Sequence, residues 1–190
     1  QDSKGAKVTT YLQDKNIIYY PEDLIQSPPT HPYDFVSSFI HENNWANKNI
    51  GVEMDAYYYT AENHYRLTST CPNVNFSDAT LLVNWIRLIK SENEINYMKE
   101  GAKLVQAGMK TAYENIKPGV KQSYVAGKIQ NSLIGGNEEI NIGGEYAGLT
   151  TILASGISAS ASHLTPKDNL FNNNEGTIIE LAGVKNRYHC

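Results

Sequence analysis

The strongest constraint on this chain is a helix written out from start to stop. Ser91-Glu92-Asn93-Glu94 is a capping box, in which the Ser hydroxyl and the Glu carboxylate satisfy backbone donors that a helix start leaves free. From there Ile95, Met98, Ala102, Val105, Met109, Ala112 and Ile116 recur at alternating intervals of three and four, and Lys117-Pro118-Gly119 ends the run. Such a helix presents one long apolar face that must be covered. A coiled coil has the same spacing, but the run is short and two seam positions are alanine, so packing on a sheet is the expectation. Val125, Ile129 and Leu133 predict a second amphipathic helix that stops at Gly135-Gly136. Thr151-Ile152-Leu153-Ala154 then reads as a strand, and Thr177-Ile178-Ile179-Glu180-Leu181 as another, followed by a hairpin turning at Lys185-Asn186.

The first part of the chain alternates in the same way. Pro32 stands at a first-turn position before Phe35, Val36, Phe39 and Ile40, and Ile50-Gly51-Val52-Glu53-Met54 reads as a short buried strand. A second helix is predicted from Tyr58 to Leu67, and a strand at Val74-Asn75-Phe76. Asp78 is then placed to cap a segment carrying Leu81, Leu82, Trp85 and Ile86. The fold class is therefore α/β (α+β), with one domain over residues 1–86 and a second over 87–190. The Tyr57-Tyr58-Tyr59 triplet suits either a stacking surface or core packing.

Composition narrows the partners. Hydrophobic residues make up 41% of the 190, enough for a core, and the net charge is -4 with 16 scattered Lys and Arg, so nothing resembles a stripe that tracks a phosphate backbone. No nucleic-acid partner is expected. The most apolar run, Leu81 to Ile89, is short and interrupted by Asn84 and Arg87, so no membrane segment is expected either. Two cysteines do not make a disulfide framework, which suits a reducing cytoplasm. The chain opens at Gln1 without methionine and stops at Cys190 without a polar tail, and is read as a piece cut at both ends.

Few side chains are candidates for chemistry. Glu180 interrupts an apolar strand; if buried it asks for a cation, a metal or a substrate, and if the strand lies at an edge it simply faces water. His163 sits in the small-residue run Ser158-Ala159-Ser160-Ala161-Ser162 just before Leu164-Thr165-Pro166, where a ligand could approach a proton-shuttling imidazole. His31, His41 and His64 lie on or beside surface helices and are expected to face solvent. His189 and Cys190 are adjacent in a strand and point to opposite faces, so they form no local metal pair. Gly143-Gly144-Glu145-Tyr146 lacks the Gly-Lys-Ser/Thr ending of a phosphate loop and is ringed by acids. Glu145 and Tyr146 either line a pocket for a small cation or form a glycine turn with a solvated carboxylate. Tyr188 joins them as a substrate-binding candidate. Neither a Gly-x-Ser-x-Gly elbow nor a His-Glu-x-x-His helix is present.

Taken in order, the capping-box helix, Gly143-Gly144-Glu145-Tyr146, Ser155-Gly156, His163 and Thr177-Ile178-Ile179-Glu180-Leu181 resemble the pita-bread family of creatinase, prolidase and aminopeptidase P. The segment holding Ile50-Gly51-Val52-Glu53-Met54 and Asp78-Ala79 resembles the family's amino-terminal domain. Ser160-Ala161-Ser162-His163-Leu164-Thr165, Glu180-Leu181-Ala182-Gly183 and Arg187-Tyr188-His189-Cys190 are similar to the ectoine hydrolase-like members.

The resemblance implies a creatinase-type amino-terminal domain followed by the first half of a pita-bread catalytic domain. It implies cleavage of a C–N bond in a small cyclic amidine such as ectoine, with His163 and Glu180 catalytic and a homodimeric assembly. Metal-dependent members carry Asp where this chain has Glu180, and a second Asp that would fall just past Cys190. The expectation is therefore no metal and no cofactor. The alternatives are a dinuclear manganese or zinc peptidase acting next to proline, and a non-catalytic binding protein. The remaining half of the sheet supplies further carboxylates in the family, so these residues alone are expected to be inactive and to expose an apolar edge.

Overall fold

A computed structural model describes residues 2–190. The chain divides into two compact units, Gln1–Leu88 and Ile89–Cys190.

The first unit runs α1 (Asp2–Thr9), two single 3-10 turns, α2 (Pro32–Glu42), β1 (Asn49–Val52), α3 (Ala61–Thr70), β2 (Asn75–Asp78) and α4 (Leu82–Ile86). Strands β1 and β2 pair in parallel, Ile50 opposite Phe76, and a parallel pair needs a crossover, which α3 supplies. Ile40, Leu67, Cys71 and Val74 form its core, with Tyr33, Val36, Tyr59 and Phe76 packed against them.

The three histidines of this unit do not simply face solvent. His31 is the N-cap of α2: its Nδ1 accepts the Tyr33 N–H at 3.1 Å, and the Asp34 carboxylate accepts the His31 N–H at 2.8 Å. His41 Nε2 lies 3.1 Å from the Thr70 carbonyl and joins α2 to α3, while His64 Nδ1 lies 2.9 Å from the Tyr59 hydroxyl. The tyrosine triplet splits, because Tyr59 packs on the core whereas Tyr57 and Tyr58 are exposed. Asp78 accepts the Thr80 N–H at 2.8 Å, so it closes a turn one step ahead of α4, and the helix starts instead from Leu81 at φ +65°.

The second unit holds α5 (Glu92–Asn115), α6 (Gln122–Gly135), β3 (Ile152–Ser155), a 3-10 run Gly156–Ser160, β4 (Thr177–Glu180), β5 (Val184–Lys185) and β6 (Tyr188–His189). Helix α5 starts and stops where its caps predict, with Ser91 accepting the Glu94 N–H and Glu94 accepting the Ser91 N–H. Its buried stripe is rotated from the expected one. Gly101, Leu104, Ala107, Gly108 and Ala112 are buried, while Met98, Ala102, Val105 and Met109 are only half-buried and Ile95 is exposed.

Close backbone approach explains the rotation. A Cβ added to Gly183 would stand 2.5 Å from the Gly101 carbonyl oxygen and 2.8 Å from Leu104 Cβ, and one added to Gly108 would meet Leu133 at 3.0 Å. Helix α6 packs between α5 and β3, and Ala112, Val125, Ala126, Ile129, Leu133, Leu153 and Phe171 form one core.

Overpacking at a site with no room costs about 1–3 kcal/mol, whereas Gly→Ala at an open helical position gains about 0.5–1 kcal/mol. Gly183→Ala is therefore expected to lower the urea midpoint. Gly127→Ala, in α6 with nothing within 4 Å of its added Cβ, is expected to raise it. Equal shifts of the same sign would refute the close approach of α5 to Gly183.

Candidate active site

Strands β3 and β4 pair antiparallel, with Ile152 opposite Glu180, Leu153 opposite Ile179 and Ala154 opposite Ile178. Side chains alternate along a strand, so Leu153 and Ile179 turn into the α5–α6 core while Ile178 and Glu180 share the other face. On β4 that face is accessible, with Ile178 46% exposed and Glu180 also exposed, while Ala154 opposite on β3 is buried. The charge is thus not buried in the strand and needs no internal partner. It stands on a sheet face whose neighbours are apolar.

His163 lies in an exposed turn at φ +60°, a left-handed conformation uncommon for a residue with a side chain. The loop leading to it leaves β3 at Gly156, φ +62°, where an added Cβ would come within 2.7 Å of the Glu175 carboxylate. That carboxylate accepts from Asn172 Nδ2 at 3.2 Å and from the buried Ser155 hydroxyl at 3.5 Å, which in turn accepts from the Thr177 hydroxyl at 3.1 Å. The Glu175 side chain could swing aside for a Cβ, but the positive φ strains any other residue, so glycine is favoured at the loop's departure point.

The other candidate residues meet at the last hairpin. Strands β5 and β6 turn at Asn186 and Arg187, both at positive φ, one step later than the turn read from sequence. Glu145 Oε1 accepts the Asn186 N–H at 2.7 Å and Oε2 lies 4.0 Å from Arg187 Nε, so this carboxylate closes the hairpin turn. Tyr146 sets its ring edge-on to His189, with its hydroxyl 3.4 Å from Nε2. Tyr188 donates to Glu94 Oε1 at 2.8 Å and stacks on Tyr97. Of the five candidates, Glu145 and Tyr188 have polar atoms engaged in holding the hairpin, and His163 and Glu180 carry exposed polar groups.

The link from Tyr188 to Glu94 is the feature that sequence reasoning missed. The capping box explains Glu94 completely within its own helix turn, and nothing local points to a third partner 94 positions on. Together the Ser91 backbone N–H, the Ser91 hydroxyl and the Tyr188 hydroxyl, the Ser91 N–H foremost, hold the Glu94 carboxyl down at about 2.

Comparison with known proteins follows from this geometry. The sequence profile of metallopeptidase family M24 matches residues 96–190. Ectoine hydrolase of Halomonas elongata is 38% identical over 193 aligned residues, covering 100% of this chain and 48% of its own length. An uncharacterized hydrolase/peptidase of Sinorhizobium fredii is 42% identical, covering 100% of the chain and again 48% of its own length. Among solved structures, the Xaa-Pro dipeptidase of Bacillus anthracis superposes with a TM-score of 0.69 at 20% identity, over 85% of this chain and 42% of its own. Prolidase of Pyrococcus furiosus superposes at 0.63 and 23%, over 80% and 45%. The pita-bread architecture expected from the sequence is the architecture of these neighbours. The chain spans about half the length of the relatives it matches.

A match to a metallopeptidase family overturns the expectation that no cofactor is used, and the manganese or zinc alternative is the one consistent with it. Among the described residues, however, no three His, Cys, Asp or Glu side chains gather into a metal-holding cluster. The donors of this span do not by themselves fit a metal pair, so no chemical step is routed through one.

The Glu94 contacts set a pH dependence. A carboxyl depressed from 4.5 to about 2 contributes stability that is complete above about pH 4.5 and is lost as the pH falls toward about 2. Glu94→Gln is expected to melt lower than wild type at neutral pH and to flatten the decline of melting temperature across that acid window. Tyr188→Phe, which removes one of the three contacts, is expected to flatten it less. An unaltered acid slope in Glu94→Gln would refute the link.

Proposed function

The chain belongs to metallopeptidase family M24, and from that premise we propose that it acts as a hydrolase opening the C–N bond of a small cyclic amidine, ectoine, to an N-acetyl-diaminobutyrate. The observation that carries this reading is the 38% identity to Halomonas elongata ectoine hydrolase along the whole of this chain.

The chemistry suits the exposed groups. Ectoine presents a delocalised amidinium and a carboxylate. Water adds to the amidine carbon, a C–O bond forms, the ring C–N bond breaks, and the departing nitrogen takes a proton. Glu180, a carboxylate on an open apolar strand face, pairs with the amidinium or takes a proton from the attacking water. His163 delivers the proton to the leaving nitrogen from a loop whose departure from β3 is fixed by Gly156. Tyr146, whose hydroxyl is near His189 but partly exposed, is the substrate-facing member of the hairpin. Glu145 and Tyr188 keep that hairpin in place. The enzyme works as a homodimer in the cytoplasm. No helix of the described residues is long and apolar enough to cross a membrane.

A second reading rests on the metallopeptidase family together with its Xaa-Pro dipeptidase and prolidase neighbours: a manganese- or zinc-dependent peptidase acting on bonds next to proline. One assay separates the two. The protein expressed from its complete gene is offered ectoine and an Xaa-Pro dipeptide, and its metal content is measured in the same preparation. Ectoine opening without dipeptide cleavage is expected. Dipeptide cleavage by a protein holding manganese or zinc, with ectoine untouched, would replace the first reading by the second. His163→Ala is expected to lower kcat by about 10²–10⁴-fold, the usual contribution of a general acid, with a smaller change in KM. Unchanged turnover would remove His163 from the reaction.

A further inference from the structure

The loop that carries His163 is held at its far end by the start of α6. The first turn of any helix leaves N–H groups without partners, and Lys121, the N-cap of α6, supplies no side-chain bond to them. Instead the Asn169 carbonyl accepts the Gln122 N–H at 2.9 Å and the Lys167 carbonyl accepts the Ser123 N–H at 3.0 Å. The clamp continues outward, where Phe171 exchanges bonds with Val120 and Gly119, each 2.9 Å long. Residues 167–171 therefore lie as a strap across the helix start.

Backbone bonds of this kind are blind to side chain and tolerate a slip in register. Asp168 removes that freedom. Its Oδ1 accepts the Ser123 hydroxyl at 2.8 Å and its Oδ2 lies 3.4 Å from Lys121 Nζ, so the carboxylate grips both flanks of the helix start. An anion there is also favoured by the helix dipole. The Ser123 hydroxyl, followed by Lys121, holds the carboxyl below its ordinary range, which agrees with an acid bound in its charged form. Pro166, with its fixed φ, stands between this anchor and His163 and restricts the freedom of the intervening chain.

We propose that Asp168 is a positioning residue for His163: bonded to Ser123 and Lys121, it sets the register of residues 167–169 on α6 and thereby where the imidazole stands, without itself touching substrate. The inference rests on the proton-transfer role proposed for His163. Its consequence is kinetic, because a small misplacement of a proton donor costs rate more than binding.

The test uses the protein from its complete gene, with Asp168→Ala, Asp168→Asn, Ser123→Ala and His163→Ala compared in ectoine turnover and in amide hydrogen exchange. Asp168→Ala is expected to lower kcat about tenfold with KM changed by less than about twofold. It is also expected to speed exchange at the Gln122, Ser123 and Phe171 amides, the N–H groups that join the strap to the start of α6, while the centre of α6 stays protected. Asp168→Asn, which keeps an oxygen for the Ser123 hydroxyl, is expected to recover part of both losses, and Ser123→Ala to show a weaker form of them. Wild-type kcat together with unchanged exchange in Asp168→Ala would overturn the proposal. Should Asp168→Ala lose protection throughout α6, Ser123→Ala decides on the same two readouts. Full turnover in His163→Ala would sink the role of His163, and the exchange data would then still decide whether Asp168 holds the loop. A dead His163→Ala beside a fully active Asp168→Ala in which the Gln122, Ser123 and Phe171 amides stay protected would sink this inference alone.

Discussion

The backbone of α5 lies directly against the backbone at Gly183, and the second unit is arranged around that approach. With no Cβ at Gly101 or Gly183 the helix comes near enough for Leu104 to reach the interior, and any side chain at Gly183 would strike the Gly101 carbonyl. Gly183 and Cys190 exchange two backbone hydrogen bonds, which closes the chain between them into the last hairpin. Once the hairpin is seated, Tyr188 reaches Glu94 at the head of the same helix, and the Gly148 N–H donates to the Ala182 carbonyl at 2.9 Å. Helix, hairpin and glycine loop are thus one construction held by backbone proximity more than by large apolar side chains.

Carboxylates finish what the glycines begin. Glu94 ties the hairpin to the helix, Glu145 closes the hairpin turn, Glu175 sits over Gly156 where the His163 loop departs, and Asp168 grips the start of α6 where that loop returns. Each of these acids accepts bonds from backbone or hydroxyl groups nearby. Glu180 differs in its surroundings, since it stands on an open strand face beside Ile178. That accessible carboxylate is the one to which the proposed reaction assigns the base.

Much of the fold could be read from local signals. The capping box at Ser91, the Lys117-Pro118-Gly119 stop and the glycines ending α6 mark boundaries through bonds made within a turn or two; α5 begins just after Ser91 and ends at Asn115, just ahead of that stop, and α6 ends at Gly135. The buried face of α5 could not be read in the same way, because Gly101, Ala107 and Gly108 carry little hydrophobic signal and are buried for their smallness. Glu180 looked anomalous because its neighbours on both sides are isoleucine and leucine. Pairing with β3 shows that they alternate between a covered and an open face. The surface histidines were underestimated for a similar reason, as His41 and His64 find their partners through tertiary contacts or across a loop. The family pattern was legible from ordered motifs, yet an inference from one substituted carboxylate to metal independence did not survive the match to a metallopeptidase family.

By itself the sequence determined where α5 starts and stops and where α6 ends, which family the chain resembles, and which few side chains are candidates for chemistry. Those properties depend on capping bonds, apolar periodicity and residue identity, all of which act over a turn or a strand. Tertiary structure alone decided which face of α5 is buried, that Tyr188 closes on Glu94, that Glu145 serves a turn, and that Asp168 meets Ser123 across the start of α6. These contacts join residues tens of positions apart, and their geometry depends on how near two backbones can come, a distance that no local pattern encodes.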